Sequence, residues 1–135
     1  MSLFDFLTRK PKQFVTQAAF EKNLANQLAM SPQTLEQLAG LGVRPGTELK
    51  LEFFFYTNTE EKADALAALL AEKSYEVEYG ASASDKKLQV ITGWSVPLAM
   101  DATNILRWTE EMTRLGFQSD CEFDGWGTHV PENAP

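Results

Sequence analysis

Residues Leu49-Lys50-Leu51-Glu52-Phe53-Phe54-Phe55-Tyr56 decide the fold class. Leu49, Leu51, Phe53 and Phe55 fall on one side of this run, and Lys50, Glu52, Phe54 and Tyr56 on the other. A period of two belongs to a strand, because successive side chains point to opposite faces of the pleat. The period changes directly afterwards. Asn58, with Glu61 three residues on, resembles a helix start, and Ala63, Leu66, Ala67 and Leu70 form an apolar stripe through to Lys73. Tyr75, Val77 and Tyr79 then alternate with Glu76 and Glu78. The polar loop Ser82 to Asp85 turns the chain, and Leu88, Val90, Thr92 and Trp94 alternate again, which predicts a hairpin.

Pro97 is read as the start of another helix, with an inner stripe of Leu98, Ala102, Ile105 and Met112, Leu106 beside it, and Gly116 as terminator. A last strand carries Phe117, Cys121 and Phe123 on one face. The expected class is α+β: a ferredoxin-like βαββαβ sandwich, in which right-handed crossovers place both helices on one face of an antiparallel sheet. Upstream lies an N-terminal helical extension. Phe14, Ala18, Leu24 and Leu28 are spaced for one helix, and Ser31-Pro32 reads as the cap and first position of a second, which carries Leu35 and Leu38 and stops at Gly40 or Gly42. A turn at Val43 to Thr47 separates the parts. The expected organisation is a helical extension over 1–46 packed on the domain, a ferredoxin-like domain over 47–130, and a short tail over 131–135.

With 135 residues, 44% of them hydrophobic, the chain supports one core. Its 19 acidic against 12 basic residues give a formal charge of −7, a field that repels phosphate backbones and acidic membranes. The sign is uneven: residues 1 to 58 hold 6 basic and 5 acidic groups, leaving 6 and 14 for residues 59 to 135. No direct nucleic-acid partner and no membrane partner is expected. RNA-recognition modules share the strand order, but Lys87 to Trp94 lacks the Gly-Phe/Tyr-Gly-Phe core of their stacking motif.

The single cysteine, Cys121, excludes an internal disulfide and points to a cytoplasmic location; with one histidine, His129, most His-rich metal sites are excluded too. Cys121 reads as a buried hydrophobe between Phe117 and Phe123, and His129 as a solvated loop residue. Asp120 with Glu122, and Glu76 with Glu78, share strand faces in the manner that keeps a face solvated, in preference to a cation site. Neither a phosphate loop nor a zinc pattern occurs, so no catalytic, cofactor or metal residue is assigned. The opening Met1 to Lys10 places apolar residues before its charges, the reverse of a secretory signal, and no apolar run approaches the ~20 residues that span a bilayer. Met1 to Leu7, followed by Arg9, Lys10 and Lys12, reads as a frayed or docked start in preference to an amphipathic membrane hook.

Two places are candidates for contact. In Glu122-Phe123-Asp124-Gly125-Trp126-Gly127-Thr128 an indole stands between two glycines at a strand end, as either a core plug or a contact anchor. The second is the helix-free side of the central strands, read as Phe54, Tyr56, Gln89 and Ile91. The N-terminal helices are expected to cover this side, with partner binding or homodimerisation as the competitor.

Phe123-Asp124-Gly125-Trp126-Gly127-Thr128, with Leu35, Leu38 and Tyr75-Glu76-Val77, resembles the RraB family (regulator of ribonuclease activity B) over roughly residues 24 to 130. The resemblance implies a ferredoxin-like sandwich with an N-terminal helix. It also implies action without catalysis: binding to the non-catalytic C-terminal region of ribonuclease E, which changes transcript processing by the degradosome. Two departures stand out. Ser74 occupies the place of an expected family glycine, and His129 to Pro135 carries one acid where the resemblance leads one to expect a long acidic tail.

The expected function is therefore a non-enzymatic protein-binding regulator of RNA decay, with ribonuclease E or another basic protein as partner. Asp124, Gly125, Trp126 and Gly127 form the candidate loop, Trp126 its desolvated anchor, and the carboxylates steer a basic segment. The alternative is a self-associating module whose Phe54, Tyr56 and Ile91 pair with a second copy. A small-molecule enzyme needs a pocket with convergent polar groups, and the sequence predicts none.

Overall fold

In the computed structural model, which describes residues 12–130, helix α1 (Gln17–Gly40) leads into strands β1 (Glu48–Leu49) and β2 (Leu51–Thr57) and helix α2 (Glu60–Glu72). The hairpin β3 (Glu76–Ala81) and β4 (Gln89–Trp94) follows, then β5 (Leu98–Ala99), helix α3 (Ala102–Gln118) and β6 (Glu122–Thr128). Strands β3, β4, β2 and β6 lie in that order in a four-stranded sheet, and β1 pairs with β5 in a two-stranded one. Every pairing is antiparallel. The class is α+β, with three helices among the described residues.

The alternation in β2 sets the layers. Leu51, Phe53, Phe55 and Thr57 are fully buried, whereas Glu52, Phe54 and Tyr56 keep partial exposure. Against the buried side pack Ala63, Leu66 and Leu70 of α2 and Ile105, Trp108 and Met112 of α3. Helix α2 starts one residue later than Asn58 suggested: the Thr59 hydroxyl accepts the Lys62 N–H, and Glu60 and Glu61 complement the helix dipole in the first turn. Asn58 instead donates to the Lys12 carbonyl at 2.9 Å.

Several local signals are overruled by packing. Helix α1 runs unbroken through Pro32, so the two predicted N-terminal helices are one. A proline inside a helix forfeits a backbone hydrogen bond, but Phe20, Gln27, Ser31 and Leu38, on both sides of it, are buried in one continuous face. Pro97 does not start a helix. Leu98 and Ala99 pair with β1, and Asp101 caps α3 by accepting the Asn104 N–H at 2.8 Å. Nor does Gly116 end α3. It is buried where a Cβ would lie 2.7 Å from the Phe55 ring, so glycine serves a close approach there. Phe117 consequently belongs to the helix, and stacks on Phe20 of α1 at 4.3 Å. The chain reverses afterwards at Asp120, whose φ is 57°.

Helix α1 lies on α3 and along β6, and not over the outer side of the sheet as expected. Its polar face residues reach inward: the Ser31 hydroxyl bonds with the Thr109 hydroxyl of α3 at 2.8 Å. Ile91 also needs correction. It stands directly opposite Phe55 on β2 and Tyr79 on β3, and residues opposite one another share a face. Ile91 therefore points at the helices and is fully buried, as its 0% exposure records. Gln89 faces the same way, opposite the buried Thr57. The outer face of β4 is made by Val90, Thr92 and Trp94.

Candidate functional site

The terminal strand is irregular where its glycines begin. Phe54 pairs with Gly125 but Phe55 pairs with Phe123, so Asp124 is an extra, exposed residue in a β-bulge. Gly125 takes φ 114°, a conformation that side chains resist. Beside the bulge, Asn23 of α1 donates to the Phe123 carbonyl at 2.8 Å, and Gln27 does so at 3.4 Å. A helix thus satisfies one carbonyl on the free edge of β6, an edge that otherwise presents unpaired backbone groups.

Trp126 lies opposite Phe53 and turns toward the helices. Its indole N–H donates to the Ser31 hydroxyl at 3.0 Å, and its ring meets Trp108 edge to face at 6.3 Å. Trp108 in turn donates to the Tyr75 hydroxyl at 2.9 Å. The half-buried Trp126 ring is thus held from both sides by the fold. Its remaining surface lines a cleft of about 90 Å³ with Gln27, Met30, Thr34 and Asp124.

Of the four loop residues, Asp124 alone is exposed, while Gly125 and Gly127 lie in register with the outward residues Phe54 and Glu52. The outer sheet face runs in three rows. Gly127, Glu52, Trp94 and Glu76 form the first, Gly125, Phe54, Thr92 and Glu78 the second, and Glu122, Tyr56, Val90 and Gly80 the third. Phe54 and Tyr56 are therefore found where they were expected, without Ile91. Burial pushes the Glu122 carboxyl above its ordinary value, helped by the charge of Asp124, and partial desolvation likewise raises Asp124. Both groups lie outside the ion pairs formed between the described residues.

Asp120 was expected on a strand face beside Glu122. It lies instead in the turn before β6, where its carboxylate accepts the backbone N–H groups of Phe14 and Val15, each at 2.7 Å, and the Lys62 ammonium at 2.6 Å. Burial opposes its ionisation, but Lys62 and the two N–H groups outweigh that and hold the carboxyl below its ordinary value. The side chain staples the entry of α1 to α2 and β6. Cys121 beside it is 1% exposed, and burial pushes its thiol up to about 11, so it is protonated and poorly nucleophilic at neutral pH. Among the described residues no group of three or more His, Cys, Asp or Glu is placed to hold a metal ion. No helix among them is long and apolar enough to cross a membrane.

Sequence reasoning missed Ser31, Gln27 and Asn23 as partners of β6. One signal was present: Gln27 and Ser31 sit on the helical stripe that begins at Phe20 and ends at Leu38, so two polar residues stood on a buried face.

These features define a small acidic α+β domain whose terminal strand carries a glycine-flanked tryptophan. The family model "Regulator of ribonuclease activity B" matches residues 28–128, and the chain belongs to that family, RraB. Its members regulate ribonuclease activity, which makes this chain a regulatory protein that works on a protein partner. No curated protein matches the chain.

Proposed function

We propose that the chain is a non-enzymatic regulator that binds ribonuclease E and modulates RNA decay by protein-protein contact, in the cytoplasm. The observation that carries this reading is the outer sheet face. An antiparallel sheet face left to water reads polar, yet this one presents the partly exposed Phe54, Tyr56, Val90 and Trp94 among carboxylates, with no helix over it among the described residues. The strand order β3-β4-β2-β6, with α2 and α3 as the intervening helices, supports a ferredoxin-like reading of residues 47–130, on which the helical extension packs.

The contact surface proposed is this face together with its β6 border, Asp124 and Gly127, with Gly125 buried behind them. Trp126 positions that border through Ser31, so its part in binding is indirect. Homodimerisation through the same face is the weaker reading, because a second copy would set Glu52, Glu76 and Glu78 near their own kind.

The test is the cleavage rate of a structured transcript by full-length ribonuclease E, with this protein titrated to excess. Dose-dependent slowing that disappears when the non-catalytic C-terminal region of the nuclease is deleted is the expected result. An unchanged rate at saturating protein overturns the proposal.

A further inference from the structure

We propose that the Glu52–Glu76–Glu78 end of the outer face is a seat for an arginine side chain, presented by an extended basic segment of the partner. The inference rests on the reading of this face as a protein-binding surface and adds the chemistry it recognises. A cleft of about 290 Å³ lies here, lined by Glu52, Glu76, Glu78, Thr92 and Trp94. Trp94 stands in one row between Glu52 and Glu76, so carboxylates flank the indole on both neighbouring strands. Glu78 follows in the next row, opposite Thr92. An aromatic face bordered by carboxylates matches a guanidinium, which stacks through its plane while its N–H fork donates sideways to the acids. A lysine ammonium lacks that plane and fork.

Two further observations favour an outside cation. The acids of the cleft meet one internal cation among the described residues: Lys50, 3.7 Å from Glu76, with both side chains more than half exposed at 54% and 72%. An exposed pair of that kind contributes little and is readily exchanged. The Thr92 hydroxyl oxygen is buried without a hydrogen-bond partner, alone in this among the described side chains. Such an orphan is uncommon in a settled fold, and Thr92 lines the cleft.

Gly127 and Gly80 border the same face, where a Cβ would meet nothing within 4 Å, and neither takes a positive φ. Packing and backbone conformation therefore do not demand glycine at either position. Gly127 leaves open space beside Glu52 at the β6 edge, and Gly80 leaves it beside Val90 at the β3 edge, where an extended chain can approach.

The probe is a fluorescein-labelled nonapeptide of alternating arginine and serine, followed by anisotropy at low salt, with a glutamine-for-arginine peptide as control. The arginine peptide is expected to bind, with amide shifts centred on Thr92 and Trp94, and the control peptide to fail. The double variant Glu52→Gln/Glu78→Gln, at two positions that are not buried, is expected to keep the melting temperature and bind about tenfold more weakly. Gly127→Gln, which fills the space beside Glu52, is expected to weaken binding as well. No binding by the wild type, equal binding by the double variant, or shifts centred elsewhere overturns the seat.

The regulator reading is separable in the ribonuclease assay. If the wild type and the double variant slow cleavage equally, the seat falls and the regulator stands. If the peptide binds at Trp94 but the wild type leaves cleavage unchanged, the regulator reading falls and the seat stands.

Discussion

The two faces of one sheet differ more than their sequences suggest. Phe53, Phe54 and Phe55 are consecutive and identical, yet the first and third are fully buried under the helices while the middle one borders solvent between Gly125 and Thr92. Apolar content alone therefore does not locate a core. What distinguishes the faces is the company each side chain keeps. The inner face pairs Phe55 with Ile91 and Phe123 beneath two helices, whereas the outer face places Phe54, Tyr56 and Trp94 beside glycines and carboxylates. An aromatic kept at an uncovered surface among acids is suited to recognition, and one beneath helices to stability.

Truncation gives the largest contrast. Phe55→Ala is expected to cost about 3–5 kcal/mol and Phe54→Ala about 1 kcal/mol or less, measured by urea unfolding. Comparable losses would mean that the outer face is part of the core. Glycine substitution sharpens the same division. At Gly93 a Cβ would lie 1.8 Å from the Glu76 carbonyl oxygen and 2.9 Å from the Phe53 ring, whereas at Gly127 it meets nothing. Gly93→Ala should cost about 3 kcal/mol or more, because backbone must give way, and Gly127→Ala should stay within about 0.5 kcal/mol of the wild type.

The helical layer has a staple for which the outer face has no counterpart among the described residues. Asp120→Asn is expected to cost about 1–2 kcal/mol near neutral pH by weakening the bonds to Lys62 and the α1 entry. Because the folded-state pKa of Asp120 lies below its unfolded value, its contribution is present above the ordinary carboxylate pKa of about 3.9 and is lost as pH falls through the folded value. The gap between variant and wild type should close below about pH 4, and a gap independent of pH would remove Asp120 from this role.

The smallest effect belongs to neither face. Ser74, at φ 67° before β3, holds a backbone conformation that favours glycine, so Ser74→Gly should stabilise by about 0.5–1 kcal/mol in thermal melts. A loss there would assign the Ser74 side chain a contact of its own.

The readable parts of the sequence were those in which local and tertiary preferences agree. The alternation of β2 and the α2 stripe needed only neighbouring residues, and Gly125 could be seen to want conformational freedom. Ser74 was legible too, as a residue in a place where glycine was expected. Other positions failed for definite reasons. In β4 both faces are apolar, so the orientation of Ile91 was fixed by its register with Phe55 and not by its own pattern. Ser31-Pro32 has the chemistry of a helix start, but Ser31 is held by Thr109 across α3, far along the chain. Gly116 resembles a stop because glycines often are, while here the Phe55 ring demands the missing side chain. The hydrogen-bond partners that fix Asp120 and Trp126 lie 58 to 106 residues away, beyond the reach of spacing.

The division between the faces is tested most directly by oxidative side-chain footprinting of the protein, alone and saturated with the C-terminal region of ribonuclease E. Protection of Phe54, Tyr56 and Trp94, with Leu41 on the helical side oxidised at an unchanged rate, is the result predicted. Protection of Leu41, with Trp94 as reactive as in the free protein, would contradict it and move the contact surface to the helical layer.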